Sequence, residues 1–219
     1  MPTQEGRITK SKAQPKTGRK EARSVRKDVY SAKSISAADL EACLDLVELT
    51  SSAAYAASTS GWSRPRKRKE MLLPDMKFLI VRDAGCLAGT PEPVADRPNA
   101  SGTADGEWED EDEGGVLGFL SFMVTYEDGK EVVYCYEIHL ATEARGKGIG
   151  GLLMSTMEGI GRLIGLEKAM LTVFRSNTAA RQFYEKGGYE VDEYSPKPRR
   201  LRNGTVKEAD YFILSKQLN

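Results

Sequence analysis

The chain is poor in the residues that build metal centres and disulfide frameworks. Histidine occurs once, at His139, and cysteine three times, at Cys43, Cys86 and Cys135, in 219 residues. Three scattered cysteines cannot staple a fold, and a lone imidazole without partners at ligand spacing offers no metal site. A reducing compartment is therefore expected. No apolar run approaches the ~18 residues of a membrane span. The basic, polar N-terminus lacks an apolar h-region, so neither membrane insertion nor secretion is expected. Net charge is also missing, because 32 Lys plus Arg balance 32 Asp plus Glu. The total favours no class of partner, but the charge is segregated along the chain.

Glycine, by contrast, is concentrated where it matters. Arg145-Gly146-Lys147-Gly148-Ile149-Gly150-Gly151 lies between a β-like run, Val132 to Leu140, and an apolar helical run, Leu152 to Ile164. A helix start leaves its first N–H groups without partners, and the helix dipole makes that end positive. Glycines let an anion approach those N–H groups closely, so the stretch reads as a phosphate cradle rimmed by Arg145 and Lys147. The dinucleotide pattern Gly-x-Gly-x-x-Gly fails on spacing and on the missing acidic residue further on. A phosphate loop of the Gly-Lys-Ser/Thr kind is absent. A glycine turn without a ligand is the competing reading.

Around this centre the chain divides into a tail and a single domain. Residues 1–28 carry nine Lys or Arg against Glu5, Glu21 and Asp28, with few apolar residues, and are expected to stay disordered. They read as a solvated arm, a nuclear import signal or a weak contact to nucleic acid or chromatin. The domain spans 29–219. Ser36 caps a first helix, with Leu40, Cys43, Leu44 and Val47 on one face, and the small polar run Ser51 to Ser60 is expected to end it. The basic run Arg64 to Lys69 reads as the exposed face of a second helix start. A strand follows at Lys77 to Val81. Residues 84–114 show no period and hold a block of six acidic residues between 107 and 113, which reads as a flexible insertion. Its sharper reading is a lure for a basic peptide.

Val116 to Val124 and Val132 to Leu140 form a hairpin about Asp128-Gly129. In the helix after the glycine turn, Ile149, Leu152, Leu153, Met157, Ile160 and Ile164 share a face. Ala169 to Phe174 is a central strand. Asn177 caps the next helix, which Gly187-Gly188 end. Tyr189 to Val191 starts another strand, 195–207 is a basic loop, and Asp210 to Leu214 is the last strand. Helices alternating with strands after a hairpin imply an α/β protein with a mixed, mostly antiparallel sheet flanked by helices.

Arg145-x-x-Gly148-x-Gly150 after a strand, followed by Asn177-x-x-Ala180-x-x-x-Tyr184-Glu185-Lys186-x-Gly188-Tyr189, resembles the GNAT acetyltransferase superfamily over about Ser36 to Leu218. Tyr134-Cys135-Tyr136-Glu137-Ile138-x-Leu140 with Met170-Leu171-Thr172-Val173-Phe174-x-x-Asn177 is similar to the NatD-type N-terminal acetyltransferases. These modify the histones numbered four and two-A, whose ends read Ser-Gly-Arg-Gly. The resemblance implies a GNAT fold with acetyl-CoA in a cleft between the fourth and fifth strands counted from the resemblance's first strand. The backbone of Ile138, His139 and Leu140 would hold the pantetheine arm. Arg145, Gly146, Lys147, Gly148, Ile149, Gly150 and Gly151 would hold the diphosphate, and Asn177 would contact the cofactor. Tyr55, Trp62, Glu127, Tyr134, Tyr136, Thr172, Ser195 and Tyr211 would line the site for a histone N-terminal peptide. Glu137 matches the general base and Tyr184 the general acid. The family's Trp-Gly-Trp reads Ser60-Gly61-Trp62 here, and an Asp expected before the hairpin turn aligns with Thr125, leaving Glu127 nearest. Action in the nucleus and cytoplasm without an auxiliary subunit, and without a membrane, completes the implied picture.

The chemistry can be argued from the residues as well. An α-amine with pKa about 7.7–8.0 is partly neutral at cellular pH. One positioned carboxylate taking its proton contributes about 10²–10⁴-fold. Glu137 sits among aromatics, where burial is expected to raise its pKa toward that use. Strict alternation puts Tyr134 and Tyr136 on one face of their strand and Glu137 on the other, so a β-bulge near Tyr136 is required to bring both into one cleft. Two other readings remain: acetylation of a lysine side chain or small amine, and a histone- or nucleic-acid-binding module without catalysis.

Overall fold

The computed structural model describes residues 25–83, 114–127 and 129–218. The basic tail as far as 24 and the acidic stretch 84–113 lie outside them. A seven-stranded sheet runs in the order β1 (Val25–Ser31), β2 (Lys77–Asp83), β3 (Val116–Glu127), β4 (Lys130–Leu140), β5 (Lys168–Phe174), β9 (Tyr211–Gln217) and β6 (Glu190–Val191). Every neighbouring pair is antiparallel except β4 with β5, which is parallel. Two short strands, β7 (Arg199–Arg200) and β8 (Val206–Lys207), form a separate hairpin. Residues 195–207 are thus not all loop, as the sequence suggested.

Strand β1 begins inside the stretch expected to be tail. Its pattern Val-Arg-Lys-Asp-Val-Tyr is half polar because it forms the sheet edge. It is held by a full register with β2 and by Asp28, 3.4 Å from the buried Arg82 guanidinium. Arg82 is also paired with Asp39 of the first helix.

Helix α1 (Ala37–Ala57) starts at Ser36, whose side chain accepts from the Asp39 N–H at 3.0 Å. It continues through Ser51 to Ala57, seven residues past its expected end. Alanine and serine tolerate helix well enough that packing decides the matter. Here Tyr55 packs against Trp62 and Phe174 at ring-centroid distances of 5.7 and 5.2 Å. Helix α2 (Arg64–Met71) is fastened to α1 by Arg64, which reaches Glu41, Asp45 and Glu48 at 2.8, 2.7 and 2.5 Å. Helix α3 (Ile149–Leu163) packs through Gly161, where a Cβ would come within 3.0 Å of Val133 of β4. Its buried face takes in Met154, whereas Ile164, expected on that face, is 55% exposed. Helix α4 (Thr178–Lys186) is capped by Asn177, whose side chain accepts from the Ala180 N–H.

The β3–β4 hairpin pairs Glu127 with Lys130 at its end, and Gly129 takes φ 80°. Its register slips once, where Ser121 faces Glu137 but Phe122 faces Cys135, leaving Tyr136 as the extra residue. This bulge is the one the sequence required. Val133 therefore faces α3, while Glu137 and His139 turn toward α1.

Candidate active site

The site grows from the parting of two parallel strands. β4 and β5 pair only through Val133–Ala169, Tyr134–Met170 and Cys135–Leu171. Beyond Cys135 the strands diverge, and a cavity of about 600 Å³ opens between them. On its other edge β4 stays bonded to β3 as far as Leu140, so the backbone at Tyr136, Ile138 and Leu140 presents one unpaired rim to the gap. An extended ligand can pair with such a rim as an added strand would.

The glycine turn closes the mouth of this cavity. A single 3-10 turn (Thr142–Ala144) leads to Arg145, and Gly146 and Gly148 take left-handed φ of 71° and 80°. Gly148 is the N-cap of α3 and carries no capping side chain, so the first-turn N–H groups at Ile149, Gly150 and Gly151 face outward as an anion site. Gly150 lies where a Cβ would be 3.3 Å from the Phe183 ring, so the turn packs closely against α4. Arg145 is exposed and donates to the Leu140 carbonyl at 3.4 Å, and Lys147 is exposed. Asn177 lines the same cavity beside its capping bond. A diphosphate at the turn and an extended arm along β4 fit these features.

A second cavity of about 380 Å³ shares Tyr55, Cys135, Tyr136 and Thr172 with the first. Its wall also takes in Trp62, Arg66, Lys67, Glu70, Glu127 and Tyr134, so it is aromatic with charges of both signs. The Tyr134 hydroxyl and Thr172 hydroxyl are 2.5 Å apart, and the Tyr134 and Tyr136 rings meet at a tilt of 57° with centroids 5.4 Å apart. The structure thus gathers six of the eight residues expected at the peptide site: Tyr55, Trp62, Glu127, Tyr134, Tyr136 and Thr172. Ser195 and Tyr211 are placed elsewhere. Ser195 is buried, and its hydroxyl accepts the Ile213 N–H at 3.1 Å, an architectural bond to β9. Tyr211 pairs with Phe174 at the start of β9, outside the residues that line either cavity.

Glu137 lines the larger cavity next to the shared Cys135 and Tyr136, and it is buried and fully engaged. Its Oε1 accepts from the Tyr55 hydroxyl and from Lys67 Nζ, each at 2.6 Å, and its Oε2 lies 2.6 Å from His139 Nε2. Lys67 uses its two remaining donors on Tyr55 Oη at 3.0 Å and Glu70 at 2.7 Å. The sequence suggested that burial would lift the Glu137 pKa into a useful range. Burial does push it up, but the His139 bond and the Lys67 ammonium outweigh burial and bring it down to about 2. The Lys67 ammonium, despite its burial, is held charged by Glu137, with its pKa raised. Tyr55 and Tyr184 are pushed up chiefly by burial, so both phenols keep their protons. Tyr184 lies in the wall of the larger cavity. Cys135 is likewise pushed up by burial, which leaves it a thiol unsuited to nucleophilic attack.

Sequence reasoning missed Lys67, Thr50 and Glu70. Lys67 was read as part of an exposed basic face, yet it is buried on the side of α2 that carries Met71 one turn later. That i, i+4 pairing with a methionine was its available signal. His139 was expected to contribute backbone alone, and its side chain proves to bond Glu137 and Thr50. Among the described residues, no group of His, Cys, Asp or Glu could hold a metal ion, and no helix is long and apolar enough to cross a membrane.

A sheet parted between two parallel strands, with a glycine-capped helix at the parting, defines a fold for coenzyme A-dependent acyl transfer to amines. The chain belongs to the acetyltransferase (GNAT) family, whose family model matches residues 45–189. This family uses acetyl-CoA. The chain is 37% identical to N-alpha-acetyltransferase 40 of Saccharomyces cerevisiae over 41% of its own length and 40% of that protein. It spans less than half the length of the curated relatives it matches. Among solved structures it resembles PaiA N-acetyltransferase from Thermoplasma acidophilum in complex with coenzyme A. The TM-score is 0.53, with 17% identity over 89% of this chain and 99% of that one. It also resembles a chain of the NatC complex bound to Gag peptide and CoA, at TM-score 0.54 and 14% identity over 89% of this chain and 99% of that one. At these identities the structural likenesses speak for the fold alone.

Proposed function

We propose that the protein transfers the acetyl group of acetyl-CoA to the α-amine of chains beginning Ser-Gly-Arg-Gly, the N-termini of histones four and two-A, in the nucleus and cytoplasm. The observation that carries this reading is a pair of adjoining cavities with one buried carboxylate, Glu137, in the wall of the larger beside the residues they share. The larger fits the cofactor; the smaller is lined by aromatics and by charges of both signs, Arg66 and Lys67 with Glu70 and Glu127, and Glu127 is the carboxylate that an arginine following a small terminus would pair with. The likeness to yeast N-alpha-acetyltransferase 40 supports an α-amine as acceptor.

When bound, acetyl-CoA supplies an activated thioester. The rest is asked of the chain's own residues. The N–H groups at the start of α3, with Arg145 and Lys147, hold the diphosphate, and the rim of β4 from Ile138 to Leu140 orients the arm. Tyr134, Tyr136 and Thr172 place the incoming terminus at the junction of the cavities. Glu137 is the proton acceptor for the amine, and Tyr184, which keeps its phenolic proton, is the donor to the departing thiolate. An α-amine suits the weak base found here, because its pKa of about 7.7–8.0 lies well below the ~10.4 of a lysine side chain.

Mass spectrometry of a Ser-Gly-Arg-Gly peptide incubated with protein and acetyl-CoA tests the reading. The expected product carries one acetyl group on the serine nitrogen. Label confined to lysine side chains or small amines would replace this substrate assignment. Tail binding without turnover would replace the enzyme by a binding module.

A further inference from the structure

Glu137 does not stand alone against Lys67; behind it runs a row of polar atoms that reaches into α1. His139 Nε2 is 2.6 Å from Glu137 Oε2, and His139 Nδ1 is 2.5 Å from Thr50 Oγ1. Thr50 Oγ1 is in turn 2.7 Å from the Leu46 carbonyl, one helical turn back. The imidazole is buried and stacks on Phe119 of β3 at 5.6 Å.

The hydroxyl of Thr50 has one proton and two acceptors to serve. When it donates to the Leu46 carbonyl, His139 Nδ1 must carry a proton to bond Thr50 Oγ1. The short Nε2–Oε2 contact needs another, so the imidazole then holds two protons and is a cation against the Glu137 carboxylate. When the hydroxyl turns to donate to Nδ1, the imidazole keeps only its Nε2 proton and is neutral. The bond to Glu137 survives in both arrangements, but in the second the carboxylate has lost one of its two cationic partners. A carboxylate with fewer cationic partners takes up a proton more readily.

We propose that Thr50 and His139 are a positioning pair that holds Glu137 in the cleft and sets how readily it takes a proton from the incoming amine. This rests on the reading of Glu137 as the acceptor. The pair works because His139 and Thr50 are the adjustable side of an otherwise fixed environment. Bearing on the same carboxylate are Lys67 from α2 and Tyr55 from α1, with Tyr184 from α4 and Cys135 of β4 in its field. Lys67, Tyr55, Tyr184 and Cys135 each keep their protons, so none of them adjusts as the amine arrives. Turnover should therefore depend on which of the two hydrogen-bond arrangements the imidazole and Thr50 adopt.

Because the chain has a single histidine, nitrogen NMR of labelled protein reads this imidazole without ambiguity. Its titration is followed beside the pH profile of peptide acetylation in the wild type and in His139→Gln, His139→Ala and Thr50→Val. The expected result has the imidazole signals and the acid limb of turnover changing together, and Thr50→Val displacing both. His139→Gln, which keeps a neutral donor to Glu137, retains acetyl-CoA affinity and loses the acid limb. His139→Ala lowers turnover about 10²-fold, the lower end of what a positioned proton acceptor contributes. An acid limb unchanged in His139→Gln, or an imidazole titration untouched by Thr50→Val, overturns the proposal. A wild-type protein that acetylates no amine would remove the proposed function instead, and the NMR arm would still decide the pair.

Discussion

Replacing Lys67 by methionine removes one charge and leaves the shape of α2 intact, and the structure sets the size of the effect. The Lys67 ammonium and Glu137 carboxylate are 2.6 Å apart, with side chains 8% and 6% exposed. At an effective dielectric of about 20, two unit charges at that separation attract by about 6 kcal/mol. The desolvation of both ions, several kcal/mol each, offsets much of this, so the pair contributes little net stability as a pair. Breaking it is another matter. The variant keeps a buried carboxylate with one cationic partner gone, and Tyr55 loses a donor to its oxygen. Such a loss costs about 3–5 kcal/mol. Urea unfolding of Lys67→Met, Glu137→Gln and the double variant forms a cycle that isolates the cause. The double variant should regain at least half of the Lys67→Met loss, because an amide in place of the carboxylate no longer needs a cation. Acetyl-CoA affinity should hold in all three, since Lys67 lines the smaller cavity and not the larger. A Lys67→Met loss under about 1 kcal/mol, the scale of an exposed ion pair, would refute the reasoning.

Gly148→Ala places a side chain at φ 80° with nothing within 4 Å of its Cβ, so strain alone acts; about 1–2 kcal/mol of stability and a clear loss of acetyl-CoA affinity by calorimetry are expected. Ser195→Ala removes the acceptor for the Ile213 N–H and should cost about 1–3 kcal/mol in thermal or urea unfolding, with peptide KM unchanged. A rise in KM without a loss of stability would return Ser195 to the peptide site. Acid stability follows from Glu137, whose pKa falls from 4.5 to about 2 on folding. A depressed carboxyl stabilises the fold fully above its unfolded pKa and loses that contribution as pH drops through the folded one. About 3 kcal/mol should therefore disappear between pH 4.5 and 2 in urea titrations, and Glu137→Gln should flatten that fall.

The elements fixed by local chemistry were legible in the sequence. Asp128-Gly129 announced the hairpin, Ser36 and Asn177 their caps, and the glycines at 146 and 148 the start of α3. The bulge at Tyr136 followed from a demand that two residues of incompatible parity share a cleft. What stayed hidden depends on distant packing. The end of α1 is extended by Tyr55 resting on Trp62 and Phe174, partners 7 and 119 positions away. β1 is a polar edge strand whose alternation is diluted by Arg26, Lys27 and Asp28, and only the ladder to β2 and the Arg82 guanidinium reveal it. Ser195 matched a family position in sequence but faces the β9 backbone in space.

The largest discrepancy concerns the carboxylate, and it has a general cause. Glu137 among aromatic neighbours suggested a raised pKa from burial, while His139, two positions on, was expected to contribute backbone alone. The partners that reverse the sign are His139, two positions along the same strand, and Lys67 of α2, 70 positions away, with Thr50 of α1 behind the imidazole at a separation of 89. Arg64 fastens α2 onto three carboxylates of α1, so the same contacts that seat these helices deliver Lys67 to Glu137. The base strength of the site is therefore set jointly by His139, which β4 itself supplies, and by the packing of α2 that brings Lys67 to the same carboxylate.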